Sequence, residues 1–89
     1  MPKYRLVFHR KAEKALNGLD RKTKQRLLED IRCLMEFSER KSRMDIVKME
    51  GMQGFYRLRS GRLRTMFAVD KPSGTIIILK IEQRERAYE

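Results

Sequence analysis

The sequence predicts an α+β domain of the order β-α-α-β-β-β, in which a helical hairpin packs on one face of a small, mainly antiparallel sheet. Three observations predict this class. Residues 10–38 place apolar side chains at helical spacing, residues 55–81 have the composition of strands separated by turns, and a β-rich segment precedes the helices. The 89 residues suffice for one small core between two layers, so we expect a single domain over residues 1–89.

The N-terminal half carries the first strand and both helices. Residues 4–8, YRLVF, are rich in β-formers and predict a short strand. In residues 10–19 the apolar side chains recur at i, i+3, i+4 and i+7, and Asn17-Gly18 supplies a stop. Asp20 is suited to cap a second helix that runs to about residue 38, and two helices joined this tightly form an antiparallel hairpin.

The C-terminal half carries the remaining strands. We predict them over residues 55–59, 63–69 and 75–81, and residues 46–49 are assigned only a short extended segment. Ser60-Gly61 is a turn signal that closes a hairpin between the first two strands, and the segment DKPSG is a turn by composition. The run TIIILKI is almost wholly apolar, which indicates burial on both faces and a central place in the sheet.

The chain is strongly basic. Its net charge of +10 and isoelectric point near 10.3 predict a surface that attracts anions, so acidic proteins, nucleic acids and anionic membranes are all conceivable partners. The longest apolar run, residues 76–79, is too short to span a bilayer, and the N-terminus lacks the apolar stretch of a signal peptide. We therefore expect a cytoplasmic protein without a membrane partner.

Motifs for common enzyme sites are absent from the sequence. It contains no phosphate-binding loop, zinc site or serine or cysteine triad, so we expect neither a metal ion nor a cofactor. The one cysteine, Cys33, cannot form an internal disulfide, and we assign it no chemistry. The one histidine, His9, has no identifiable orienting partner, so we assign it a helix-start or surface role rather than a general-base role.

The stretch FYRLRSGRLR at residues 55–64 says most about function. It holds four arginines, and no acidic residue stands between positions 51 and 69 to neutralise them. In an extended segment Arg57 and Arg59 point to the same side, and the strand after the turn brings Arg64 close to that side, with Arg62 in the turn. Because like charges on neighbouring strands repel, such a face is suited to a polyanion. The alternative is a solvated basic face.

The C-terminal tail adds Arg84, Arg86 and Tyr88. Since the last strand runs back beside the preceding one, we expect the tail to return to the arginine hairpin. Guanidinium groups bind phosphate in a bidentate manner and tyrosine can stack on a base, which favours RNA or single-stranded nucleic acid as the ligand. Cleavage through the ribose 2′-hydroxyl further requires a proton acceptor and cations that stabilise the developing charge, and arginines meet the second requirement. Tyr88 can act as a base only where neighbouring cations lower its pKa.

Three segments of the C-terminal half carry a family resemblance: the lead-in KMEGMQGFYRLRSGRLR, the strand LRTMFAV and the closing IEQRERAYE. In their order and spacing they resemble the RelE/ParE superfamily of bacterial and archaeal toxins, and the resemblance covers nearly the whole chain. For the RelE-like branch it implies the toxin of a type II toxin-antitoxin system. Such a toxin is a metal-independent, ribosome-dependent endoribonuclease that cuts messenger RNA in the decoding (A) site. It further implies a cognate acidic antitoxin of the RelB type.

The resemblance also implies roles for individual residues. Arg64 matches the strand arginine that engages the scissile phosphate, and Arg84 matches the tail arginine that stabilises the transition state or protonates the leaving oxygen. Tyr88 matches the tyrosine that stacks on the nucleotide or helps to activate the 2′-hydroxyl. These three form the expected catalytic set. The expected RNA-binding set consists of Arg57, Arg59, Arg62 and Arg86.

Two departures from the family pattern concern proton transfer. Arg57 and Arg59 stand where RelE-like members often carry lysines, and an arginine does not readily deprotonate, which argues against a general base there. Gln83 stands where many relatives have a histidine. Two alternative functions therefore stay open: a ParE-like toxin of the same fold that inhibits a topoisomerase (gyrase) by binding protein, and a non-catalytic RNA-binding module.

Overall fold

The fold is seen in a computed structural model that describes residues 3–36 and 45–83. Its elements in chain order are β1 (Arg5–Phe8), α1 (Arg10–Asn17), α2 (Arg21–Cys33), a 3₁₀ turn (Leu34–Glu36), β2 (Asp45–Lys48), β3 (Phe55–Ser60), β4 (Leu63–Asp70) and β5 (Thr75–Gln83). The strands form one five-stranded sheet in the order β1-β5-β4-β3-β2. β1 is parallel to β5 and the other neighbours are antiparallel, so the predicted α+β class with a mainly antiparallel sheet is confirmed.

The sheet has one strand more than the predicted order. β2 pairs with β3 at the edge of the sheet, where the sequence indicated only a short extended segment. Four residues are too few for a period-two pattern to stand out, and their pairing with β3 is what makes them a strand. β5 lies between β1 and β4, so its central position is confirmed. The predicted burial of β5 on both faces is wrong, because Ile77 is only half-buried on the face away from the helices.

The helix ends follow local capping chemistry. His9 precedes α1, and its Nδ1 accepts a hydrogen bond from the backbone nitrogen of Lys11 at 3.1 Å, which confirms the predicted helix-start role. Asp20 caps α2, as predicted, because its Oδ2 accepts a hydrogen bond from the backbone nitrogen of Thr23 at 3.3 Å. α2 itself ends at Cys33, which is exposed, and the 3₁₀ turn follows. The α-helix therefore ends before residue 38, where its end was predicted, because the backbone tightens into the 3₁₀ turn after Cys33.

The core lies between the two helices and one face of the sheet. Alternate strand residues point into it, in keeping with the two-residue period of a strand. Tyr56 of β3 and Phe67 of β4 stack with their ring centroids 5.6 Å apart. The other buried apolar residues of this cluster are Ala12, Leu16, Leu27, Ile31, Leu34, Leu58, Leu63, Ile76, Ile78 and Ile81. The strand residues between them therefore point to the opposite side of the sheet, called here the open face.

Within the described ranges, no helix has the length and apolar character needed to cross a membrane.

Candidate nucleic-acid interface

The open face carries three of the predicted arginines. Tyr56 and Leu58 of β3 are buried in the core. Because side chains alternate along a strand, their neighbours Arg57 and Arg59 point to the open face. Arg64 of β4 lies on the same face, directly opposite Arg59 in the strand register. Opposite residues of an antiparallel pair have Cβ atoms about 5 Å apart, so these guanidinium groups share one patch. The predicted placement of the three arginines on one face is therefore confirmed.

Arg62 lies in the hairpin turn beside this patch, and it lines the same groove as Arg59. It follows Gly61 in the two-residue loop that joins β3 to β4, and the φ of +63° at Gly61 is the conformation that a type II′ hairpin turn requires. Arg62 lines a groove of about 810 Å³ between this turn and α2, together with Arg26 and Asp30 of the helix. The hydroxyl of Ser60 donates a hydrogen bond to the Asp30 carboxylate, which ties the hairpin to α2 beside the groove.

A β-bulge in β5 brings two further charged residues to the open face. Met66 pairs with Lys80 and Phe67 pairs with Ile78, so Leu79 is the extra residue of the bulge. The extra residue shifts the alternation of β5, and Lys80 and Glu82 consequently point away from the core although Ile78 points into it. The Nζ of Lys80 lies 3.0 Å from the Oε2 of Glu82.

Two carboxylates accompany the arginines, contrary to the sequence-based expectation that nothing neutralises them. Asp45 of β2 lies opposite Arg59, and its Oδ2 is 2.7 Å from a guanidinium nitrogen of that arginine. Glu82 of β5 lies opposite Arg64. Neither acid is near residues 55–64 along the chain, so only the strand register and the bulge could have revealed them.

The side chains of the open face form rows across the sheet. The first row, called here the charged row, contains Asp45, Arg59, Arg64 and Glu82 from β2 to β5. The next row contains Val47, Arg57, Met66 and Lys80, and an apolar row of Phe55, Ala68, Ile77 and Val7 follows.

The arginines of the open face differ in whether their guanidinium groups form an ion pair. Arg59 is held by Asp45. By contrast, no hydrogen bond or ion pair engages the guanidinium groups of Arg57 and Arg64 within the part of the chain that the structure describes. Both side chains are half-buried by their neighbours. Among the described residues, two guanidinium groups are thus without a partner that would compete with an anionic ligand, and a third can bind one after an exchange of partners.

The predicted tail residues Arg84, Arg86 and Tyr88 lie outside the described residues. Gln83, the last residue described, pairs with Leu63 next to the hairpin turn, so β5 does run back to the arginine hairpin as expected. His9 lies at the start of α1 and takes no part in the charged row. Residues 3–36 and 45–83 contain no group of three or more histidine, cysteine, aspartate or glutamate side chains that could hold a metal ion.

Comparisons with known proteins agree with this architecture. The family model described as "ParE toxin of type II toxin-antitoxin system, parDE" matches residues 6–88. The protein named "Putative toxin RelE1" from Methanocaldococcus jannaschii is 31% identical over 87 residues, which cover 98% of this chain and 97% of that protein.

Solved structures show the same fold. A chain of the archaeal RelE–RelB complex from Pyrococcus horikoshii OT3 superposes with a TM-score of 0.80 at 31% identity, covering 94% of this chain and 98% of that one. The isolated RelE toxin of E. coli superposes with a TM-score of 0.79 at 21% identity, covering 96% of this chain and 88% of that one, a similarity in fold alone. With the family match over most of its length and these relatives, the chain belongs to the RelE/ParE superfamily and is a toxin of a type II toxin-antitoxin system.

Proposed function

We propose that this toxin is a ribosome-dependent endoribonuclease that cuts messenger RNA in the decoding (A) site. The observation that carries the proposal is the open face, where Arg57 and Arg64 have free guanidinium groups within the described residues and Arg59 lies beside them. The likeness to RelE proteins in sequence and structure favours the RelE branch. A cytoplasmic location, where ribosomes are, belongs to the same proposal.

Arg64 is proposed to bind the scissile phosphate. Its guanidinium group can donate two parallel hydrogen bonds to the non-bridging oxygens, and it stays charged at every physiological pH. Attack of the 2′-oxygen builds negative charge on those oxygens, so a fixed cation beside them lowers the barrier. Arg57 and Arg59 are proposed to bind flanking phosphates, with Arg62 and Arg86 further along the RNA.

The proposed catalytic set also contains Arg84 and Tyr88. The resemblance assigns Arg84 to the transition state or the leaving oxygen, and Tyr88 to stacking on the nucleotide or activation of the 2′-hydroxyl. An open sheet face provides few contacts that could orient RNA for in-line attack. We therefore expect the ribosome to supply the positioning, which can account for a large part of a rate enhancement.

Primer extension on a messenger RNA, with and without programmed ribosomes, tests the proposal. We expect cuts only with ribosomes, and we expect Arg64→Ala to slow cleavage on the order of 100-fold, the loss typical of one charge-stabilising donor. Arg21→Ala is the matched control, because it removes the same charge from the exposed start of α2. The absence of cuts by folded wild-type protein on ribosomes would refute the endoribonuclease assignment.

We further propose that an acidic antitoxin of the RelB type binds this toxin. The relative from Pyrococcus horikoshii was solved as a complex of RelE with RelB. A basic open face is complementary to an acidic, partly helical segment that becomes ordered on binding. Co-expression with the acidic protein encoded next to the toxin should give a complex that survives purification, and its failure to co-purify with folded toxin would count against the proposal.

Inhibition of a topoisomerase is the second candidate function. It is favoured by the family model, which is described as a ParE toxin and matches residues 6–88. A gyrase supercoiling assay with purified toxin separates the two functions. Inhibition of supercoiling without cuts on ribosomes would favour the ParE-like function, whereas cuts on ribosomes with unaffected gyrase would favour the endoribonuclease.

A further inference from the structure

The proposed cleavage reaction needs a proton acceptor, and Tyr88 can serve as one only where neighbouring cations lower its pKa. The ribose 2′-hydroxyl must lose its proton as it attacks phosphorus, and an acceptor has to lie within hydrogen-bond reach of it. Arg57, Arg59 and Arg64 cannot serve, because a guanidinium group does not give up its proton in a protein. A carboxylate can accept a proton, and the open face holds two of them within the charged row.

Glu82 is the carboxylate that stands beside the proposed phosphate site. It lies directly opposite Arg64 across the antiparallel pair of β4 and β5. Its side chain is 44% exposed, so a bound ribose can reach the carboxylate. The ion pair with Lys80 at 3.0 Å keeps a positive charge next to this carboxylate.

Asp45 is less well placed for the same task. The charged row runs Asp45, Arg59, Arg64, Glu82, so two strand spacings separate Asp45 from Arg64. Each spacing is about 4.8 Å, which places the Asp45 backbone roughly 10 Å from that of Arg64, against roughly 5 Å for Glu82. The two acids therefore carry the same charge in the same row but differ in their distance from the phosphate site.

We propose that Glu82 is a catalytic residue that accepts the proton of the ribose 2′-hydroxyl. This assignment rests on the proposed endoribonuclease function. The Glu82 carboxylate takes the proton, the 2′-oxygen forms a bond to phosphorus, and the bond from phosphorus to the 5′-oxygen breaks. The products are a 2′,3′-cyclic phosphate and a 5′-oxygen that takes up a proton from water. The hydroxide left by that water removes the proton from Glu82, which restores the carboxylate.

Single-turnover cleavage on programmed ribosomes, at saturating toxin, tests the assignment. We expect Glu82→Gln to slow cleavage about 100- to 10,000-fold, the range typical of a lost general base. Glu13→Gln is the matched control, since it removes one negative charge from the exposed surface of α1, away from the open face, and we expect its rate to stay within a few-fold of wild type. Saturation keeps differences in RNA affinity out of the comparison.

Chemical rescue distinguishes a proton acceptor from a merely structural ion pair. In Glu82→Ala the lost carboxylate leaves room for a small one from solution, so added formate should restore part of the rate, and chloride at the same ionic strength should not. Glu82→Asp, which keeps the carboxylate on a shorter side chain, should cleave faster than Glu82→Gln and guards against a folding defect in the amide variant.

The outcomes separate this assignment from the function on which it rests. Wild-type cleavage that Arg64→Ala slows on the order of 100-fold but that Glu82→Gln leaves within threefold would overturn the assignment alone. A rate loss in Glu82→Ala that formate does not restore would also overturn it. A folded wild-type toxin that cuts no RNA on ribosomes would overturn both the proposed function and the role of Glu82.

Discussion

Thr65 is a polar residue in the apolar core of the part of the chain that the structure describes. It is fully buried on β4, between Leu58 of β3 and Ile81 of β5 in the strand register. Its Oγ1 has no hydrogen-bond partner among residues 3–36 and 45–83. A hydroxyl group that is removed from water without a partner costs about 1–3 kcal/mol in proteins. The hydroxyl of Thr65 is therefore a local cost that the surrounding apolar core has to offset.

Replacing this hydroxyl by a methyl group should stabilise the protein. We expect Thr65→Val to raise the free energy of unfolding by about 1 kcal/mol, because the change removes an unpartnered polar atom and keeps the side-chain shape. Urea denaturation monitored by circular dichroism measures the difference. Thr75→Val is the control, since the Thr75 hydroxyl donates to the Ser73 carbonyl at 3.4 Å, and it should show no such gain. Equal gains in both variants would mean that valine propensity for strands, rather than the buried hydroxyl, is the cause.

At the scale of elements, the helices are defined by short-range chemistry. Asp20 caps α2 through the backbone of Thr23, and the same helix packs Leu27 and Ile31 into the core. Side-chain and backbone hydrogen bonds from Thr23 hold the pKa of Asp20 below its usual value. The ionised cap is therefore favoured in the folded state, and its contribution to stability depends on pH.

Removing the cap should destabilise the protein in a pH-dependent way. A carboxyl group with a lowered pKa in the folded state stabilises fully above its unfolded pKa, and the contribution is lost as the pH falls through the folded value. We expect Asp20→Ala to unfold at a lower temperature than wild type at pH 7, with the difference narrowing below about pH 4. Thermal scans over this pH range measure it, with Glu29→Ala on the same helix as a charge control. A difference that does not change with pH would contradict the role of the ionised form.

Local signals also explain which elements could be predicted from the sequence. The helix starts and the hairpin turn depend on contacts between residues that are close in sequence, at His9, Asp20 and Gly61. Such local effects can be predicted from the sequence. The bulge at Leu79 and the pairing of β2 depend on partners far along the chain. The sequence therefore predicted the helices, the hairpin and the arginine face, but not the additional strand or the orientation of Lys80 and Glu82.

At the scale of the whole molecule, the net charge of +10 does not tell how many cations of the open face lack an ion-pair partner. Arg59 is neutralised by Asp45 and Lys80 by Glu82, so within the described ranges the open face combines free and paired cations. The sequence places the three arginines together because strand periodicity determines which side they occupy. It does not reveal their partners, because an ion pair across strands depends on register, and register is set by the whole sheet.

On the open face, arginines with an ion-pair partner and arginines without one should contribute differently to the salt dependence of RNA binding. Each phosphate that a free cation neutralises releases counterions and contributes about −0.7 to the slope of log K against log salt for a single strand. We expect Arg57→Ala to reduce the magnitude of the slope by about that amount. Arg59 is already neutralised by Asp45, so Arg59→Ala should reduce it less. Fluorescence anisotropy of a labelled single-stranded RNA over a range of salt concentrations measures both slopes.

The size of the Arg59 effect depends on the strength of its ion pair. The two side chains are 56% and 47% exposed, and exposed ion pairs contribute about 0–1 kcal/mol, so phosphate can displace Asp45 at small cost. Arg59→Ala should accordingly still reduce the magnitude of the slope, but by less than Arg57→Ala does. Asp45→Asn should increase the magnitude, because Arg59 is then free to bind phosphate. Arg21→Ala, on the helical side, should leave the slope unchanged. Equal slope losses for Arg57→Ala and Arg59→Ala would show that the ion pair does not restrain Arg59 in solution, and the three arginines of the open face would then act as equivalent cations.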